Sequence, residues 1–205
     1  RRAFHEVGGD KRAMLELDVL HGGPQKDLSP EGQAYPALLR LAMDGTCKGW
    51  IGGPPCRTRS MLRHLPVQGL QMPRPLRAWE GGEHGLQDLS QAERDQVFLD
   101  DVLMFRFLLL YVISEEVRQA NKLEEPVSLL LEQPADLAHM PEVVTIWRTP
   151  AWKELVRIYG LHMQTFNQSE FAAVATKPTT IGGNLRLQVP MPGRRGAPRD
   201  RSEEH

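Results

Sequence analysis

Apolar positions along this chain alternate between short continuous runs and stretches at helical spacing. Residues 14–20 (Met-Leu-Glu-Leu-Asp-Val-Leu) form a mostly apolar run ended by Gly22-Gly23-Pro24, the pattern of a buried parallel strand with an acid, Asp18, near its end. Ser29-Pro30-Glu31 reads as a helix start; Tyr35, Leu38, Leu39 and Ala42 follow helical spacing to Asp44-Gly45, with Pro36 expected to delay or kink the helix. Residues 48–51 are the next strand, running into a glycine-proline turn. Ser90 with Glu93 makes a capping box, and Val97, Val102, Phe105, Leu109, Val112 and Val117 carry a long helix toward Asn121. Residues 127–131 are a continuous apolar strand ending in Glu132-Gln133-Pro134. Thr149-Pro150 caps a short helix with Trp152, Leu155, Val156 and Tyr159 on one face and Gly160 as its stop. Residues 161–166 and 185–189 read as two closing strands.

Strands alternating with helices predict an α/β fold, a sheet with helices on both faces. The expected organisation is one domain over residues 1–190, with a Pro-, Gly- and Arg-rich disordered tail at 191–205. Residues 57–89 are too long for a passive connection, so that loop is expected to be functional or disordered.

Composition narrows the function classes. With 205 residues, 40% apolar and 25% charged, and a net charge of -1, the chain has no global bias toward nucleic acid or membrane, so any polyanion site must be local. The longest apolar run, residues 105–113, contains Arg106 and is too short to span a bilayer, and the first residues lack a signal-peptide core. An intracellular location, with the nucleus as one option, is the expectation. The chain opens on Arg1 without a methionine, from which a missing natural start is expected. Cys47 and Cys56 make neither a disulfide framework nor a four-ligand zinc set, and His21, His64, His84, His139 and His162 show no metal-ligand spacing.

Residues 49–56, Gly-Trp-Ile-Gly-Gly-Pro-Pro-Cys, hold the best candidate for a chemical group. The rigid Pro54-Pro55 turn would present the Cys56 thiol at the mouth of a sheet, an inert buried cysteine being the alternative. Reactive groups in α/β sheets collect at the carboxyl ends of the strands, where Asp18, Cys56 and Glu132 all fall. If the strands before Cys56 and Glu132 are neighbours joined by the long helix, a thiol and a carboxyl group share a crevice.

These residues resemble the cytosine-5 DNA methyltransferases. Gly52-Gly53-Pro54-Pro55-Cys56-Arg57-Thr58-Arg59-Ser60 looks like their Gly-Gly-Phe-Pro-Cys-Gln-x-Phe-Ser nucleophile motif, and Glu132-Gln133-Pro134 like a variant of Glu-Asn-Val. The chain is more similar still to a divergent methyltransferase-like group with Gly-Pro-Pro-Cys, Glu-x-Pro and a later Lys-Pro-Thr, here Lys177-Pro178-Thr179. Gly182-Gly183-Asn184 is similar to a late Gly-Asn element but reads better as a plain turn. The resemblance implies a Rossmann-like methyltransferase sheet in which the Cys56 thiolate adds to C6 of a flipped cytosine. Glu132 would hold the N3 and N4 edge, and S-adenosylmethionine, with Asp18 and Pro54 at its site, would supply the methyl group. It also implies DNA as partner, with Arg57, Arg59, Arg63, Arg74, Arg77 and Lys177 as phosphate contacts, Trp79 as a stacking surface, and nearby arginines favouring the thiolate.

Three departures qualify the expectation. Val7-Gly8-Gly9-Asp10 lacks the preceding apolar strand, so the first cofactor-binding strand is expected to be missing or truncated. Gln168-Ser169-Glu170-Phe171 stands where the family has Gln-x-Arg-x-Arg, and no target-recognition domain fits after Lys177. A non-catalytic nucleic-acid-binding or assembly module that keeps the fold is therefore the alternative reading. A thiol enzyme of another kind lacks a Cys-His-Asn or Cys-x-x-Cys set.

Overall fold

A computed structural model of the chain describes residues 27–65, 73–171 and 177–186. Asp18, the strand expected at 14–20, residues 187–189 of the closing strand expected at 185–189, and the tail lie outside the described residues. In chain order the described elements are α1 (Ala34–Met43), β1 (Gly49–Gly52), α2 (Gln91–Ala120), β2 (Ser128–Pro134), α3 (Pro150–Tyr159), β3 (His162–Asn167) and β4 (Pro178–Gly183).

The locally encoded helix ends fall where the sequence puts them. The Ser90 hydroxyl accepts from the Glu93 amide while the Glu93 carboxylate accepts from the Ser90 amide, which closes the capping box of α2. Thr149 caps α3 with Pro150 inside its first turn, and Gly160 ends it at a left-handed φ of 63°. At α1 the outcome differs from expectation. Ser29 lies in a turn closed on the Asp27 carboxylate, and the helix starts at Ala34. Pro36 is then its third residue, where no intrahelical amide is needed, and the late start agrees with the delay expected from Pro36.

The sheet is open and mixed, in the order β1-β2-β4-β3. Strands β1 and β2 are parallel neighbours joined through α2, the arrangement anticipated for the strands before Cys56 and Glu132. Strand β4 runs antiparallel between β2 and β3. Two strand assignments need correction. Strand β2 continues through Glu132, Gln133 and Pro134 because they pair with Ile181, Thr180 and Thr179 of β4. The last described strand is Pro178–Gly183, and Leu185 and Arg186 of the closing strand expected at 185–189 lie outside it. Nor do Gly182-Gly183-Asn184 form a plain turn: both glycines end β4, and the Asn184 side chain accepts from the Leu129 amide and donates to the Val127 carbonyl, each at 2.8 Å.

Register shows which face the helices cover. Gly52, Leu131, Gly182 and Met163 are successive partners across the four strands, so their side-chain directions share one face. A Cβ on Gly52 would stand 2.5 Å from the Phe107 ring of α2, and one on Gly182 would stand 2.4 Å from Trp152 and 2.5 Å from Trp147 at the start of α3. Helices α2 and α3 therefore pack on the same face, and Tyr111 and Tyr159 meet edge to face between them. The expectation of helices on both faces is realised on one face among the described residues. Glu132, Ile181 and Gln164 form a row on the other, where Ile51 of β1 is 57% exposed. The main core joins α1, α2, the sheet and the two tryptophans around Leu38, Trp50, Tyr111, Leu129, Leu131 and Trp152. Phe105 and Leu109, expected on the core face of α2, are exposed; Met104, Phe107, Leu108 and Tyr111 take those contacts. Among the described residues no helix is long and apolar enough to cross a membrane.

Candidate functional site

The turn carrying Cys56 is held from below by α2. Strand β1 stops at Gly52, and after Pro55 the chain makes a turn in which the Arg59 amide donates to the Cys56 carbonyl at 2.9 Å. Asp100 of α2 accepts from Arg57 Nε at 2.9 Å, from the Thr58 amide at 3.1 Å and from the Thr58 hydroxyl at 2.8 Å. Its neighbour Asp101 accepts from Arg59 Nη2 at 2.9 Å and from both terminal nitrogens of Arg77, with His84 Nδ1 at 3.1 Å. Burial alone would raise the Asp101 carboxyl, but Arg77, Arg59 and His84 together hold it below its ordinary value. Arg77 also reaches back to the Thr58 hydroxyl, closing the network. The sequence carries a signal for this clamp, two adjacent acids flanked by the apolar residues 97–99 and 102–105.

The basic residues therefore divide. Arg59 and Arg77 are buried and ion-paired with Asp101, so in this structure they present no surface to phosphate. Arg74 is exposed but paired with Asp88 and Glu93, and it draws the Glu93 carboxyl down to about 2 with help from Ser90. Arg63 donates to the carbonyls of Arg57 and Arg74. Only the half-exposed Arg57 and Lys177 stand near Cys56 with their charges partly toward solvent. Trp79, the expected stacking surface, gives its indole N–H to the Pro141 carbonyl at 3.1 Å.

Glu132 meets the cysteine loop from the neighbouring strand. A Cβ on Gly53 would lie 3.1 Å from Glu132 Oε2, so the absence of a side chain there is what lets the carboxylate stand beside β1. Its other oxygen, Oε1, accepts from Lys177 Nζ at 3.4 Å. Cys56 is half-buried, and burial pushes its thiol above the ordinary value; Lys177 opposes the shift, while Glu132 and Asp100 add to it. That corrects the expectation that arginines favour the thiolate: Asp100 and Asp101 neutralise them, and the cation acting on the sulfur is Lys177. Cys47 is also pushed up by burial and sits in the core, as an inert thiol would.

No protein family, curated protein or solved structure matches this chain. Its function must be argued from the site itself.

Among the described residues no group of acids, histidines and cysteines could hold a metal ion. Of the two residues expected at an S-adenosylmethionine site, Asp18 lies outside the described residues, and the Pro54 carbonyl accepts from Gln133 Nε2 at 2.6 Å. An open depression of about 540 Å³ lies at the opposite end of β1, lined by residues including Thr46, Lys48, Arg118 and Glu125, and takes no part in this arrangement.

Proposed function

We propose that this chain is a cytosine-5 DNA methyltransferase-like domain in which Cys56 is the nucleophile for C6 of a cytosine turned out of the duplex. The observation that carries the reading is the placement of Cys56 and Glu132 at the same end of adjacent parallel strands, with Gly53 keeping the space between them open. In that geometry one group attacks carbon while the other binds the amino edge of the same ring. The open α/β sheet is compatible with a Rossmann-like domain.

The chemistry these residues support balances without a cofactor. The Cys56 sulfur forms a bond to C6, the C5–C6 π pair moves to C5, and a solvent proton is taken up there. Loss of the original C5 hydrogen and departure of the thiolate then restore the ring. Glu132 accepts from the exocyclic amine throughout, and Arg57 faces the flanking phosphate. In this reading S-adenosylmethionine would supply the electrophilic methyl group for C5.

Release of tritium from [5-³H]cytosine DNA tests the nucleophile, and an oligonucleotide carrying 5-fluorocytosine with S-adenosylmethionine tests the full reaction. Release that disappears in Cys56→Ser supports the assignment. DNA binding with neither release nor adduct would instead establish the non-catalytic nucleic-acid-binding module, a reading favoured by the burial that keeps the resting thiol protonated.

A further inference from the structure

At the carboxyl ends of β1 and β2 three functional groups from three segments converge: Cys56 on its turn, Glu132 within β2, and Lys177 immediately before β4. Pairing of Pro134 with Thr179 fixes where β4 starts and so delivers Lys177 to this end of the sheet. Alternation along β4 places positions 181, 179 and 177 on the face that carries Glu132. The two oxygens of Glu132 are unequally placed, Oε2 beside Gly53 and Oε1 on Lys177 Nζ at 3.4 Å. Both side chains are part-exposed, 33% for Glu132 and 44% for Lys177, so the ion pair is accessible to a ligand, and among the described residues no other side-chain partner locks it.

The remaining charges near the sulfur are already matched. Asp100 is buried and satisfied by Arg57 Nε and by Thr58, and Arg57 is in turn bound to Asp100. Among the described residues Lys177 is thus the nearby cation whose partner, Glu132, is also a candidate ligand-binding group. While the pair is closed, the carboxylate cancels much of the ammonium field at the sulfur.

We propose that Lys177 is a positioning residue whose ammonium holds Glu132 in the resting site and becomes the counter-ion of the Cys56 thiolate once a ligand's N–H donors take its place on that carboxylate. The inference rests on the pyrimidine-directed reading, because an amino-bearing ring is the ligand that would displace Lys177. It makes the nucleophile substrate-activated: burial keeps the empty site protonated, and occupancy of Glu132 frees the charge that ionises it.

The test is the pH profile of Cys56 alkylation by iodoacetamide, read by peptide mass spectrometry so that Cys47 is scored separately. Lys177→Met is expected to move the profile to higher pH and slow alkylation at pH 7.5 by about three- to tenfold. Lys177→Arg should restore most of the rate. Glu132→Gln, which removes the carboxylate charge at constant shape, should speed alkylation by a similar factor, and the gain should at least halve in the Lys177→Met background. An unchanged profile in Lys177→Met, or no acceleration in Glu132→Gln, overturns the inference. Urea midpoints equal to wild type confirm that each variant is folded. Alkylation needs neither DNA nor methyl donor, so the two ideas fail separately. Shifted profiles without tritium release remove the pyrimidine reading and leave Lys177 as the counter-ion; release with an unshifted profile removes only the role of Lys177.

Discussion

Replacing Asp101 with Asn should destabilise the protein by about 3–5 kcal/mol, because it removes one partner of a buried ion cluster and leaves the others in place. Asp101 faces two guanidinium groups whose side chains are only 4% (Arg59) and 1% (Arg77) exposed. Asn keeps the volume and one acceptor but not the charge, so two neighbouring buried cations lose their counter-ion. Burial and Arg77 already push the Arg59 guanidinium below its ordinary value with Asp101 present. Breaking a buried pair is far more damaging than losing an exposed one, and the loss is a large part of the roughly 5–15 kcal/mol that holds a domain together. Urea unfolding followed by tryptophan fluorescence measures it, the chain having four tryptophans. Glu154→Gln, at the exposed helical pair with Arg157, is the control and should leave the midpoint unchanged. The pH dependence has a definite sign. The folded Asp101 carboxyl lies below its unfolded value of about 3.9, so its contribution is complete above that pH and is lost as pH falls through the folded value. The gap between wild type and Asp101→Asn must therefore narrow below about pH 4. A loss under about 1 kcal/mol at pH 7, or a gap that is the same at pH 3, would refute the clamp.

Gly182→Ala should cost about 1–3 kcal/mol or more and reduce the near-UV circular dichroism, because the new methyl would meet the rings of Trp152 and Trp147 at 2.4 and 2.5 Å. Thr149→Ala removes the acceptor for the Trp152 amide at the start of α3 and should lower stability by about 1 kcal/mol with an unchanged denaturant slope.

What was legible in the sequence was local or topological. The capping box at Ser90 and Glu93 and the Thr149-Pro150 start of α3 with its Gly160 stop depend on neighbours within a few residues, and they appear as read. The adjacency of Cys56 and Glu132 followed from the strand–helix–strand order alone, since two parallel strands joined by a helix commonly pair. Strand β4 was not legible. Pro178 and the pair Gly182-Gly183 look like a turn until β2 and β3 are placed on either side, where the glycines make room for the tryptophans and for the Leu129 carbonyl. The buried face of α2 was ambiguous because residues 102–113 are almost wholly apolar, leaving the sheet and α1 to select Met104, Phe107, Leu108 and Tyr111 over Phe105 and Leu109. Asp100 and Asp101 were passed over since acids on a helix ordinarily face water, and their partners lie far away in sequence at 57–59 and 77.

Those two acids also explain how one helix can fix a loop so firmly. Adjacent positions on a helix point about 100° apart, so Asp100 and Asp101 cannot serve the same donors. Asp100 takes the backbone and side chains at 57–58, next to Cys56, and Asp101 takes Arg59, Arg77 and His84 further along the loop. Two anchors in different directions restrain the turn against rotation as well as displacement, whereas a single ion pair would leave it free to swing. The arginines near Cys56, which on sequence alone suggested a phosphate-binding surface, act first as the fasteners of that turn. A site held this way presents its sulfur at a fixed position, and the adjustable element becomes the half-exposed Lys177–Glu132 pair across the strand. In the proposed reading the rigid thiol and its exchangeable counter-charge are separate parts on separate elements, which would let a ligand change the ionisation of Cys56 without moving it.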